Sequence, residues 1–291
     1  NNVLVGENAS VGSLAGQALL LIPNLAPVFD PERGDPLRPL ASLKTVPVPE
    51  PPNLMDFIAN RTAAIQLGKA LFWDMQVGSD GVQACASCHF QAGADIRAKN
   101  QIDPGVRANP SDSTFQLAGP NYILQPFDFP LTQHTNPDLP NLPITKNVND
   151  IISSQGVMLH DFVGIVHKLP YDNCTSVADS VFNVGGMNVR RVEPRNSPSV
   201  INAVFNNRNF WDGRANNIFN GVNPFGPRDT GATIWKTINN STKQITVSLP
   251  NSSLASQAVG PPGSFFEMSC DNRSFAEIGH KLLGSAIRPL G

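Results

Sequence analysis

Five consecutive residues, Cys85-Ala86-Ser87-Cys88-His89, constrain this chain more than any other feature. Two cysteines three apart, with histidine directly after the second, is the attachment spacing of a c-type haem. The chemistry sets the spacing. Each thiol adds to one vinyl group of the porphyrin, and the next residue then lies beneath the ring, where its imidazole can bind iron. On this reading Cys85 and Cys88 are thioether anchors and His89 is the proximal iron ligand. A redox dithiol would need a βαβ context, which the sequence does not show. A zinc ribbon would need a second CxxC or paired histidines, and the other cysteines, Cys174 and Cys270, stand alone. A chance match is the remaining alternative.

A chain of 291 residues can hold one large domain or two small ones. Its formal net charge of −2 gives no ground for a nucleic-acid partner. Charged residues make up 15%, against about 25% in an average chain. With 26 prolines, and 16 phenylalanines to two tyrosines, this predicts loop-rich, apolar packing around something flat. No apolar run reaches about 18 residues, so no membrane span is expected. The apolar stretch from Ala15 to Leu25 has no basic region before it, and the chain reads as starting at a mature N-terminus. Because c-type haem is attached outside the cytoplasm, a periplasmic or otherwise extracytoplasmic bacterial location is expected. That compartment favours a Cys174–Cys270 disulfide over two buried thiols. Closing a loop of that length contributes about 4–5 kcal/mol in the loop-entropy picture.

Residues 1–52 read as a Pro-rich arm, since nine prolines between Pro23 and Pro52 forbid a long helix. Apolar spacing predicts a helix over Leu54–Trp73, with Gly68 allowing another backbone to approach. A turn at Gly78–Gly81 precedes the CxxCH run. Residues 103–150, rich in Pro, Asn and Asp, read as a long loop insertion. Residues 151–168 read as a helix carrying Ile151, Val157, Phe162 and Val166. Residues 230–250 read as a β-hairpin around Asn239-Asn240-Ser241-Thr242. Ser274-Phe275-Ala276-Glu277 is a capping box that starts a final helix.

Three further segments carry a resemblance: Leu67-Gly-Lys-Ala-Leu-Phe-Trp-Asp74, Arg195-Asn-Ser-Pro-Ser-Val-Ile-Asn-Ala203 and Phe210-Trp-Asp-Gly-Arg-Ala215. With the CxxCH run they resemble the bacterial di-haem cytochrome c peroxidases, which include MauG-type enzymes, over about residues 54–291. The resemblance implies a mainly α, loop-rich cytochrome c-type haem domain over 53–291. Residues 216–251, with the hairpin, then read as an insertion, because the family's SLEEQA–GP–EM segment reappears as Ser253-Leu-Ala-Ser-Gln-Ala-Val-Gly-Pro261 and Glu267-Met268. The resemblance also implies a second haem domain after residue 291, the alternative being a one-haem derivative of the family.

In the family, as the resemblance has it, the first Glu of SLEEQA is the acid–base residue over the reactive haem. The matching position is Ala255, or Phe219 if no insertion is allowed, so peroxide chemistry would need Glu267 or another acid. Asn209 keeps an amide where the family has Gln. Arg214 is expected to pair with a haem propionate or with Asp212, and Trp211 to flank the haem or fill the core. The loop before the RNSP run offers Met187 as a sixth iron ligand, although an open five-coordinate iron is the leading expectation. His134, His160 and His167 are read as structural. The implied activity is oxidoreduction with hydrogen peroxide or dioxygen and a small redox protein as partner. The alternatives are a haem dioxygenase of the rubber-cleaving type and a non-catalytic electron-transfer subunit. The resemblance leaves room for calcium and for a homodimer.

Overall fold

The computed structural model describes residues 42–91, 95–105, 112–139 and 141–285. The chain divides into two units, residues 1–48 and 49–291. Most of the expected Pro-rich arm, up to residue 41, lies outside the described residues. The helices and sheets that position the site belong to the second unit.

Helix α1 spans Arg61–Trp73. It begins where Asn60 accepts a hydrogen bond from Ala63 N at 3.0 Å, an N-cap that supplies one of the partners a first turn lacks. The helix expected from Leu54 therefore starts later, and Leu54–Asp56 form a separate 3₁₀ turn. Gly68 faces open space, so no neighbouring backbone uses its missing side chain. Asp74 leaves the helix in an extended conformation and caps the 3₁₀ turn Met75–Val77. The later helices are short: α2 (Cys85–His89), α3 (Ser253–Ala258) and α4 (Phe275–His280). The capping box holds at α4, where Ser274 Oγ accepts from Glu277 N and Glu277 Oε2 accepts from Ser274 N.

The expectation of a mainly α chain is overturned. Among the described residues, ten short strands form five separate two-stranded antiparallel sheets. β1 (Ile102–Asp103) pairs with β4 (Ile151–Ile152), and β2 (Thr132–His134) with β3 (Ile144–Asn147). β5 (His160–Ile165) pairs with β6 (Asp172–Ser176), and β7 (Asn183–Val184) with β8 (Met187–Asn188). β9 (Ile234–Ile238) pairs with β10 (Ser241–Ile245). The helix expected over 151–168 is thus two strands, β4 and β5. Phe162, Val163 and Ile165 favour extended backbone, and the Gly156 and Gly164 positions disfavour helix. Helical spacing of four apolar residues is too weak a signal to outweigh them.

Asparagine makes many of the turns. Seven of the nine non-glycine residues with positive φ among the described ones are Asn, the residue whose short amide best tolerates the left-handed region. The β9–β10 turn, Asn239-Asn240, has φ of 50° and 62°, the geometry that matches strand twist in a two-residue hairpin. The excursion holding this hairpin closes on itself. Phe219 and Leu249 exchange backbone hydrogen bonds at 2.9 and 3.0 Å, and Ser252 N donates to Asn217 O.

The core is divided. Val77, Met268 and Ile278 form one buried cluster, with Leu71, Cys85 and Leu282 against it. Phe182, Val192 and Phe266 form another, with Phe115 and Phe182 edge-to-face at 6.0 Å and Phe182 and Phe266 at 6.2 Å. Arg191 lies over the Phe266 ring and pairs with Asp179 at 2.6 Å. Burial pushes the Asp179 carboxyl up, but hydrogen bonds from Arg191 and from the Phe182 and Val181 amides outweigh it and hold it below the usual range.

Cys174 on β6 and Cys270 are joined by a disulfide. It ties the β5–β6 hairpin to the stretch before α4, where Asp271 N also donates to His160 O and Phe162 N to Asp271 O. Replacing both cysteines with alanine is expected to cost about 2–5 kcal/mol. Urea unfolding with and without the bridge measures this; an unchanged midpoint would rule it out.

Candidate active site

Helix α2 carries the CxxCH run, and the chain before it is fixed by side-chain capping. Asp80 Oδ1 accepts from the amides of Val82 and Gln83, both at 2.9 Å. Ser87 Oγ reaches back to accept from Ala84 N at 3.0 Å. Gln83 is buried, and its amide donates to the carbonyls of Gly156 and Gln155 at 2.8 and 3.2 Å. Arg190 bridges the same region, donating to Gly156 O at 2.6 Å and pairing with Asp80 at 2.7 Å. Gln155-Gly156 is thus a strap pinned beside α2, with Cys88 Sγ 4.0 Å from Gln155 O.

Cys85 and Cys88 are free, partly buried thiols. Burial pushes the Cys88 thiol up to about 11, against a Ser154 hydrogen bond and the Arg97 charge that pull it down. Burial likewise raises Cys85. Neutral thiols tolerate this environment, and alkylation by a vinyl group would remove their ionisation altogether. His89 is half-buried, with its ring 6.4 Å from that of Phe72 on α1. Two adjacent thiols one helical turn apart, then an imidazole beside an aromatic wall, fit the donor set of a covalently attached haem.

One carboxylate charge bears on both thiols, that of Glu267. Asp95 bears on Cys88 alone and is engaged by Arg97, with contacts of 2.6–3.0 Å. Gly156 sets where Glu267 sits. A Cβ at Gly156 would lie 2.0 Å from Phe266 O and 2.6 Å from Glu267 Cα, far inside contact distance, so the strap and the Phe266-Glu267 backbone could not keep this approach. Gly156→Ala is expected to cost about 1–3 kcal/mol by overpacking. Thermal unfolding checks it, and a melting temperature equal to the parent's would refute the close approach.

The FWDGRA turn gathers three of the expected residues. Asn209 and Ala215 exchange backbone hydrogen bonds at 3.2 Å, closing the turn. Inside it, Arg214 pairs with Asp212 at 2.9 Å and lies 3.8 Å over the Phe210 ring. Trp211 does not fill the core: it is 77% exposed, with the Arg195 guanidinium 5.3 Å from its ring centre. The turn is stitched to α3. Buried Asn209 donates to Ser253 Oγ at 3.0 Å, and fully buried Ser256 donates to Asn216 O at 2.8 Å. Ala255 therefore sits on a helix locked to the FWDGRA turn, but it brings only a methyl group.

Met187 lies on β8, 73% exposed, after the Gly185-Gly186 turn. His134 and His160 each place Nδ1 against a nearby carbonyl, of Leu142 and Met158. Among the described residues no three His, Cys, Asp or Glu side chains converge as a metal site, so calcium finds no acidic cluster there. No described helix is long and apolar enough to cross a membrane. Sequence reasoning puts weight on Ala255 and gives Glu267 second place. The signal for Glu267 is its position in the Glu-Met pair that ends the family-like segment. The strap at Gln155-Gly156 has no sequence signal, because it is defined by partners more than sixty residues away from α2.

A family model described as di-haem cytochrome c peroxidase matches residues 62–127 and 168–286. The intervening residues 128–167 include β2 to β5. A protein named cytochrome-c peroxidase IdrP1, from Pseudomonas sp. (strain SCT), is 40% identical over 79 residues, covering 26% of this chain and 19% of that protein. The chain thus spans well under two thirds of this relative. No solved structure matches.

Proposed function

Since this chain belongs to the di-haem cytochrome c peroxidase family, we propose that it is an extracytoplasmic haem oxidoreductase that reduces hydrogen peroxide with electrons from a small redox protein. The observation that carries the reading is the family match falling on a helix whose two free thiols and following imidazole fit covalent haem c. Cys85 and Cys88 would hold the haem covalently, and His89 would bind its iron. When bound, the haem would supply the redox-active iron for peroxide reduction.

The chain's own residues do the rest. Glu267, the carboxylate of the Glu-Met pair that ends the family-like segment, takes the role first expected at Ala255, moving a proton between the two peroxide oxygens. Gly156 packs directly against the backbone of Phe266 and Glu267. Asn209, Ser253 and Ser256 hold the FWDGRA turn and α3 as one piece. Met187, exposed at a hairpin, gives little support to a six-coordinate electron carrier. The disulfide supports an oxidising compartment. The family's second haem would belong to a part of the protein outside this chain.

The test is stopped-flow oxidation of a reduced small c-type cytochrome by hydrogen peroxide, with the protein's covalent haem verified by intact mass. Peroxide-dependent turnover, lost when Cys85 and Cys88 are both alanine, is expected. A haem-loaded protein inert to peroxide would overturn the reading.

A further inference from the structure

Arg273 and Lys281 share a single carboxylate. Arg273 Nη1 lies 2.7 Å from Asp172 Oδ2, and Lys281 Nζ lies 3.0 Å from Asp172 Oδ1. All three side chains are no more than 1% exposed. Their other partners are neutral. Arg273 donates to the Val77 and Pro262 carbonyls at 2.7 and 3.1 Å and to Ser269 Oγ at 3.0 Å. Lys281 donates to Gly78 O at 3.0 Å. Asp80 and Glu277 are the other carboxylates whose charge reaches this group. Asp80 is matched by Arg190, and Glu277 stands at the surface as the α4 cap. Two cations against one carboxylate leave a surplus positive charge in the interior. Burial lowers the pKa of both cations, and Asp172 works against it.

The group grips the segment that leads into α2. Val77 accepts from Arg273 through its carbonyl, while its side chain belongs to the cluster against which Cys85 packs. Leu282, next to Lys281, packs on the same cluster. Val77 and Leu282 thus link the charged group to the apolar cluster against which Cys85 packs. Charges buried beside an apolar cluster interact strongly with their surroundings, because little water screens them.

We propose that Arg273 and Lys281 raise the reduction potential of the haem held at Cys85 and Cys88, by favouring ferrous iron over the more positive ferric state. The roles are positional and electrostatic, and they rest on the haem attachment proposed above.

The test is an optical potentiometric titration of the haem-loaded protein at neutral pH. A unit charge about 10 Å from a redox centre, at an effective dielectric near 20, shifts its equilibrium by about tenfold. Lys281→Met is expected to raise the ferric-to-ferrous ratio at fixed ambient potential by about that factor. Asp172→Asn is expected to lower it, and Lys281→Arg to leave it near the parent value. Opposite shifts in the Met and Asn variants support the inference, because loosened packing would not reverse sign between them. Shifts in one direction, or none, overturn it. If Asp172→Asn fails to fold, the lysine variants decide: a shift in Lys281→Met but not in Lys281→Arg supports it, and equal behaviour overturns it. If the parent protein carries no covalent haem, the function itself fails and this inference falls with it; a loaded parent with unmoved potentials sinks the inference alone.

Discussion

Glu267→Gln is expected to lower kcat/KM for hydrogen peroxide by about 100- to 10,000-fold, the usual worth of a positioned general acid–base group. Gln keeps the size of the side chain and removes the proton-carrying carboxyl. Haem content and melting temperature should stay at the parent values, which separates a chemical loss from a folding loss. The control is Ala255→Gln, which adds the same amide on α3, and there turnover should change little. Steady-state kinetics over peroxide concentration measures both. If Glu267→Gln stays within about threefold of the parent, the proton carrier lies elsewhere.

Asp172→Ala is expected to cost about 3–5 kcal/mol, because it leaves Arg273 and Lys281 buried with no carboxylate between them. For a chain of this size that corresponds to a fall of roughly 10 °C in melting temperature. The double variant Asp172→Ala/Lys281→Met should recover part of the loss, since it removes one stranded cation as well. Circular dichroism melts of the two variants check this. A double variant less stable than the single one would mean that Lys281 holds the fold through its carbonyl contact with Gly78 rather than through charge.

Local signals in the sequence proved readable. The capping box at Ser274 starts α4 because its two hydrogen bonds lie within four residues. The Asn239-Asn240 pair turns a hairpin because both residues accept positive φ. The disulfide followed from compartment chemistry. Failures came where apolar spacing was short and tertiary pairing decided. Residues 160–165 became β5 because β6 lies alongside, a partner no local window contains. The helix before Trp73 started late because the Asn60 cap took precedence over the apolar residues upstream. Within the site, the motif located the thiols and the imidazole. What surrounds them came from long-range contacts: Gln83 to Gly156, Gly156 against Glu267, and Arg273 to Val77.

The four cysteines have opposite destinies in one chain. Cys174 and Cys270 are bridged, while Cys85 and Cys88 are free. Thiol–disulfide exchange needs a thiolate, and a thiol held up to about 11, as Cys88 is, presents about one thiolate in ten thousand at pH 7. The burial that raises this thiol therefore also acts as a sorting device. In the folded chain it makes Cys88 a poor attacker of the Cys174–Cys270 bridge.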